Sequence, residues 1–148
     1  MYTLYLLART DLASMTAGRV AAQCSHASNA FVEYMKGTMC ETEQALECER
    51  LCNIWQGFRN ENDDDTYNQS GLGFGTVIVL AATGAEMYFS VNTAKIAGLH
   101  AGIVNDPTYP VRDGEVTYII SLDTVGWIFG DKEDPRIKVI LGDFKLYP

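Results

Sequence analysis

Basic residues are scarce in this chain: 11 Lys and Arg stand against 19 Asp and Glu, for a net charge of −8. Sequence-independent nucleic-acid binding needs clustered Lys and Arg, so a broad basic face is excluded and only a local anion site is left open. Cysteine is scarce as well. The four, Cys24, Cys40, Cys48 and Cys52, form no CxxC pair, which excludes a disulfide scaffold and fits reduced thiols in a cytoplasmic protein. The two histidines, His26 and His100, lie far in sequence from Cys48 and Cys52. A structural zinc needs four gathered ligands, so no metal site is expected. No apolar run reaches the ~20 residues of a membrane span. The N-terminal MYTLYLLARTD carries no basic segment ahead of its apolar one, so neither a membrane location nor an export signal is expected.

What is present is a globular composition, 47% apolar and 11% aromatic over 148 residues, suited to one domain with one core. Residues 2–8 are aromatic and aliphatic and run into Arg9, Thr10 and Asp11, which predicts a buried strand emptying into a polar loop. After Thr16, the expected N-cap, Val20, Cys24, Ala27, Phe31 and Met35 recur at helical spacing up to Gly37. A second helix is expected over 41–55, with Ala45, Leu46, Cys48, Leu51, Cys52 and Trp55 on its apolar side. Residues 59–75 are dense in Asn, Asp and Gly and predict an exposed loop. Its consecutive Asp63, Asp64 and Asp65 lack the alternating spacing of a calcium loop. Residues 76–82 are apolar on both faces and predict a central strand, and 83–97 a helix stopped by Gly98. Residues 100–104 and 116–122 read as short strands, joined by a loop that Pro107 and Pro110 stiffen. A last helix is expected over 134–146, opened by Pro135. Trp55 and Trp127 read as core anchors. This order gives an α/β protein with a mixed four-stranded sheet flanked by helices.

The side chains suited to chemistry concentrate in residues 10–27. Arg19, Gln23 and His26 recur at i, i+4 and i+7 and form a polar stripe opposite the apolar one. The helix that carries them opens after Thr16 and Gly18, and its free N–H groups and positive dipole end suit a phosphate or carboxylate. A solvated helix face with no further role accounts for the same stripe. Further on, Pro107 and Pro110 present the Asp106 carboxylate, the Thr108 hydroxyl and the Tyr109 ring from a stiff loop at a strand end, where open α/β sheets bind ligands. Tyr109 is a candidate for stacking on a base and Arg112 for a phosphate contact. A plain turn needs the same Pro and Asp residues for backbone reasons alone.

Thr10, Asp11 and Leu12, then Met15, Gly18 and Arg19, then Ala21, Ala22, Gln23, His26 and Ala27 resemble the signature of the type 2 peptidyl-tRNA hydrolases, which couples a strand, a glycine turn and an AAQ-x-x-HA helix. The resemblance continues through 76–82, the helix end at Ala97, Gly98 and Leu99, and the closing Lys145, Leu146 and Tyr147. It spans most of the chain except an acidic helix and loop at about 38–73, which is long for the family. It implies a single α/β domain over 1–148 that hydrolyses the ester between a peptidyl group and tRNA, without metal or cofactor. Together, pattern and resemblance give Arg19, Asp106, Thr108 and His26 catalytic roles, and Asp11, Thr16, Gly18, Gln23, Tyr109 and Arg112 places in substrate binding.

Arg19 stands where the family has a lysine, a second family lysine falls on Ala17, and Asn105, Asp106, Pro107, Thr108, Tyr109 and Pro110 replace the family's Asp-Ala-Gly-Arg-Thr-Gln. A guanidinium cannot serve as a neutral amine base. Two readings follow: a hydrolase whose partner is peptidyl-tRNA, or a member of the fold that keeps an anion-binding crevice and captures a small nucleotide. An interaction protein that uses residues 41–65 is a third, and a homodimer is compatible with all of them. The acidity itself is local, since residues 33–65 hold nine acids and three bases and the rest of the chain is nearly balanced.

Overall fold

The computed structural model describes residues 1–37, 43–57 and 75–148. Its elements follow the expected order: β1 (Tyr2–Arg9), α1 (Ala17–Lys36), α2 (Glu43–Gln56), β2 (Thr76–Ala82), α3 (Gly84–Ile96), β3 (His100–Asp113), β4 (Val116–Asp131) and α4 (Pro135–Leu141). The strands form one mixed sheet in the order β2-β1-β4-β3. β1 runs parallel to β2 and antiparallel to β4, and β4 pairs antiparallel with β3. The α/β fold with a four-stranded mixed sheet flanked by helices is therefore as expected.

Strand alternation divides the core between the two faces of the sheet. Leu4, Leu6 and Ala8 of β1 point to the side of α1 and α2 and join Phe31, Cys52, Trp55, Trp127 and Phe129. Phe31 meets Trp55, Trp127 and Phe129 at centroid distances of 5.1, 5.5 and 4.8 Å, so one phenyl ring ties α1, α2 and β4 together. Such pairs contribute beyond the area they bury, about 1 kcal/mol each. Tyr5 and Leu7 point the other way, onto Met87 and Val91 of α3, Ile128 of β4 and Ile137 of α4. A capping box holds the start of α3: the Glu86 N–H donates to the Thr83 hydroxyl, and the Glu86 carboxylate accepts from the Thr83 N–H at 2.7 Å.

Three elements depart from expectation. The stiff loop expected at 105–110 is strand: β3 runs through it to Asp113, with register shifts at Val104/Asn105 and Asp106/Tyr109, and turns at Gly114 (φ 59) into β4. β3 lies at the sheet edge, where a proline's missing N–H breaks no ladder. β4 continues past 122 to Asp131, and its residues Thr124 to Gly130 are its most buried part. Its glycines hide it from a pattern reading but serve packing. A Cβ on Gly126 would meet Met87 Cγ at 2.8 Å and Val91 Cγ2 at 2.9 Å. Lastly, β2 is an edge strand, and the tail beyond α4 covers that edge rather than extending the helix. The Ala81 N–H donates to the Lys145 carbonyl and the Tyr147 N–H to the Val79 carbonyl, both at 2.9 Å.

The loop expected over 59–75, apart from Gly75, and Cys40 lie outside the described residues. Among the described residues no helix is long and apolar enough to cross a membrane.

Candidate functional site

α1 runs beside β3 and β4, and its first half carries the expected signature helix. Gln23 does not belong to a wet stripe. It is 5% exposed and lies on the inward face with Val20, Ala27, Phe31 and Met35. Burying an amide without partners costs about 1–3 kcal/mol, and here both of its ends are met. The fully buried Thr124 hydroxyl donates to Gln23 Oε1 at 2.7 Å, and Gln23 Nε2 donates to Asp106 Oδ2 at 2.6 Å. Thr124 thereby fixes which way the amide faces, with its N–H groups toward the carboxylate.

The other Asp106 oxygen, Oδ1, accepts from the Thr108 N–H at 2.9 Å and from the Thr108 hydroxyl at 3.1 Å. The register shift between Asp106 and Tyr109 gives the backbone the bend that lets Thr108 fold back on Asp106. Burial by itself raises the Asp106 carboxyl, but the hydrogen bonds from Thr108 and Gln23 outweigh it, and Asp106 sits below the ordinary carboxylate value. It is an ionised acceptor at neutral pH. His26, one turn beyond Gln23 on α1, is exposed beside it.

Arg19 flanks this cluster from one helical turn away. Its Nη1 donates to the carbonyls of Ser14 (2.9 Å) and Pro110 (3.1 Å), and its guanidinium lies 5.7 Å from the Tyr109 ring centroid. Tyr109 is corrected as a base-stacking residue: its ring is fully buried, and its hydroxyl bonds Ser14 Oγ at 3.0 Å. Tyr109 and Arg19 together fasten the β1–α1 loop to β3. Thr16 is the N-cap of α1 but makes no side-chain cap bond, and Gly18 has open space where a Cβ would stand, so the Thr16 side chain satisfies none of the first-turn N–H groups.

Two expected binding residues are engaged elsewhere. Asp11 bonds Arg9 through both carboxylate oxygens, at 2.9 and 2.8 Å, and accepts from the Gly84 N–H at the start of α3. The Arg9 bond, above all, pulls its carboxyl down to about 2. Arg112 donates to the Gly114 carbonyl at the hairpin tip, about 20 Å along β3 from Asp106. Thr124 is the site residue that sequence reasoning missed. It lies inside the unrecognised half of β4, and its only signal is a hydroxyl in an otherwise apolar run.

No group of three His, Cys, Asp or Glu side chains among the described residues is gathered to hold a metal. The first half of α1 and the middle of β3 carry an oriented carboxylate, an imidazole and a helix N-terminus, a set suited to positioning water and an anionic substrate. No curated protein matches the sequence. The family model of peptidyl-tRNA hydrolase PTH2, however, matches residues 2–147, from the first strand to the tail that closes β2, and the chain belongs to that family.

Proposed function

We propose that the protein hydrolyses peptidyl-tRNA in the crevice between α1 and β3, with Asp106 at its centre. The observation that carries this reading is the convergence of Gln23 and Thr108 on one ionised carboxylate beside His26, in a chain of this family. Asp106 accepts a further hydrogen bond from a water and aims it at the ester carbonyl carbon. His26 takes the proton of that water as the new C–O bond forms, and the Asp106 charge stabilises the resulting imidazolium. When the bond to the ribose oxygen breaks, His26 returns the proton to that oxygen. The products are a peptide carboxylic acid and a tRNA with a free ribose hydroxyl. The first-turn N–H groups of α1, backed by the Arg19 charge, hold an RNA phosphate. Arg19 acts here as a binding residue, because its Nη1 is engaged by two carbonyls and a guanidinium is no base.

The test is multiple-turnover release of the blocked amino acid from N-acetyl-aminoacyl-tRNA by the purified protein. Folded protein that gives no turnover contradicts the reading. If nucleoside phosphates then raise its Tm, capture of a small nucleotide replaces hydrolysis.

A further inference from the structure

β3 ends the sheet, so one side of it is free of strand partners. Proline at 107 and 110, two register shifts and Arg112 protect its second half from pairing with another chain. Residues 100–104, His-Ala-Gly-Ile-Val, have none of these devices. Along them runs a groove of about 560 Å³ walled by Ala30 and Tyr34 of α1 and by Lys95 of α3, with Gly102, Ile103 and Trp127 as its floor.

The floor is built by a specific close approach. Trp127 stands opposite Gly102 in the ladder, and a Cβ on Gly102 would lie 2.6 Å from its ring and 2.7 Å from Nε1. Only glycine lets the indole lie this close across β3. Trp127 is 4% exposed, yet its N–H has no hydrogen-bond partner among the described residues. No fully buried side-chain N or O atom there lacks a partner, so this donor is not sealed off, and Trp127 lines the groove. An unmet donor, a free strand edge and one cation, Lys95, on a chain of net charge −8 together suit an extended peptide.

The groove also leads somewhere. Gly102 shares the α1 side of the sheet with Trp127, and β3 carries the chain from Ile103 to Asp106 in about 10 Å. His26, Ala30 and Tyr34 recur every four residues along the facing side of α1. We infer that the free edge of β3 over residues 100–104 takes the peptide part of the substrate as an added strand, with its ester end at Asp106 and a peptide carbonyl on the Trp127 N–H. The inference rests on the hydrolase reading. Strand addition recognises main chain rather than side chains, which is what an enzyme needs if it must accept peptides of any sequence. Lys95 adds a preference for acidic side chains.

The test compares N-acetyl-aminoacyl-tRNA with an N-acetyl-tetrapeptidyl-tRNA carrying the same last residue. For the wild type, kcat/KM for the longer substrate is expected to exceed that for the shorter by about tenfold, the effect of one or two net hydrogen bonds. Trp127→Phe, which keeps an aromatic ring and removes the donor, and Tyr34→Ala, at the surface, should each bring that ratio toward one. Val139→Ser, on the exposed side of α4, should leave it unchanged. A wild-type ratio of one, or a ratio that persists in folded Trp127→Phe and Tyr34→Ala, overturns the inference. If the wild type turns over neither substrate, the hydrolase reading fails, and titration with a blocked acidic tetrapeptide amide decides the groove alone. Chemical-shift changes at Gly102 and the Trp127 indole N–H support strand addition, and their absence overturns it.

Discussion

A glutamine facing inward from an amphipathic helix is tolerable only if both ends of its amide are met, and Gln23 meets Thr124 with one and Asp106 with the other. Thr124→Val removes the donor and leaves the Gln23 carbonyl unmet. It is expected to cost about 1–3 kcal/mol in urea denaturation and to lower kcat about tenfold or more, because the amide that holds Asp106 is then no longer anchored from behind. Asp11 makes a different kind of contribution. Its carboxyl, pulled down to about 2 by Arg9, is ionised in the fold where the unfolded group would take up a proton. Its stabilisation is therefore complete above about pH 4 and lost as the pH falls through about 2. Asp11 is partly exposed, so solvent screening reduces the effect, and Asp11→Asn should cost about 1 kcal/mol at pH 7 and almost nothing near pH 2. Chemical denaturation at the two pH values measures the difference.

At the scale of elements, the helices and β1 were legible because their apolar periodicity matches their burial: Val20, Ala27, Phe31 and Met35 are all inside. The site half was legible only as residue types. Asp106 and Thr108 read as part of a loop, because prolines read as breakers wherever their strand lies, and only the sheet order shows that β3 is an edge. Gln23 reads as part of the wet side because a polar residue on a helix is ordinarily outside, and its partner Thr124 lies in a stretch of β4 whose glycines interrupt the strand pattern. Those glycines are packing features. Gly126→Ala should destabilise the protein by about 1–3 kcal/mol through contact with Met87 and Val91, as read from the urea midpoint. A neutral effect there would mean that α3 does not press on β4 as described.

For the whole molecule, the question is how a chain of net charge −8 approaches tRNA. Six of those charges fall within residues 33–65, which hold nine acids and three bases, and within that span α2 packs on the far end of α1 from the start that carries Arg19. Repulsion of RNA should then be a long-range effect that salt screens, the Debye length at 0.15 M being about 8 Å. Replacing the exposed Glu43 and Glu49 by glutamine is expected to raise kcat/KM on peptidyl-tRNA about two- to threefold in low salt and to leave it unchanged at high salt. An equal gain at both salt concentrations would point to a direct contact instead. The central claim, that Asp106 aims the attacking water, is tested most directly by the single-turnover rate of Asp106→Asn at saturating enzyme. The account predicts a loss of about 10²- to 10⁴-fold in the chemical step, with tRNA binding retained. A folded Asp106→Asn protein that cleaves peptidyl-tRNA at the wild-type rate would contradict it.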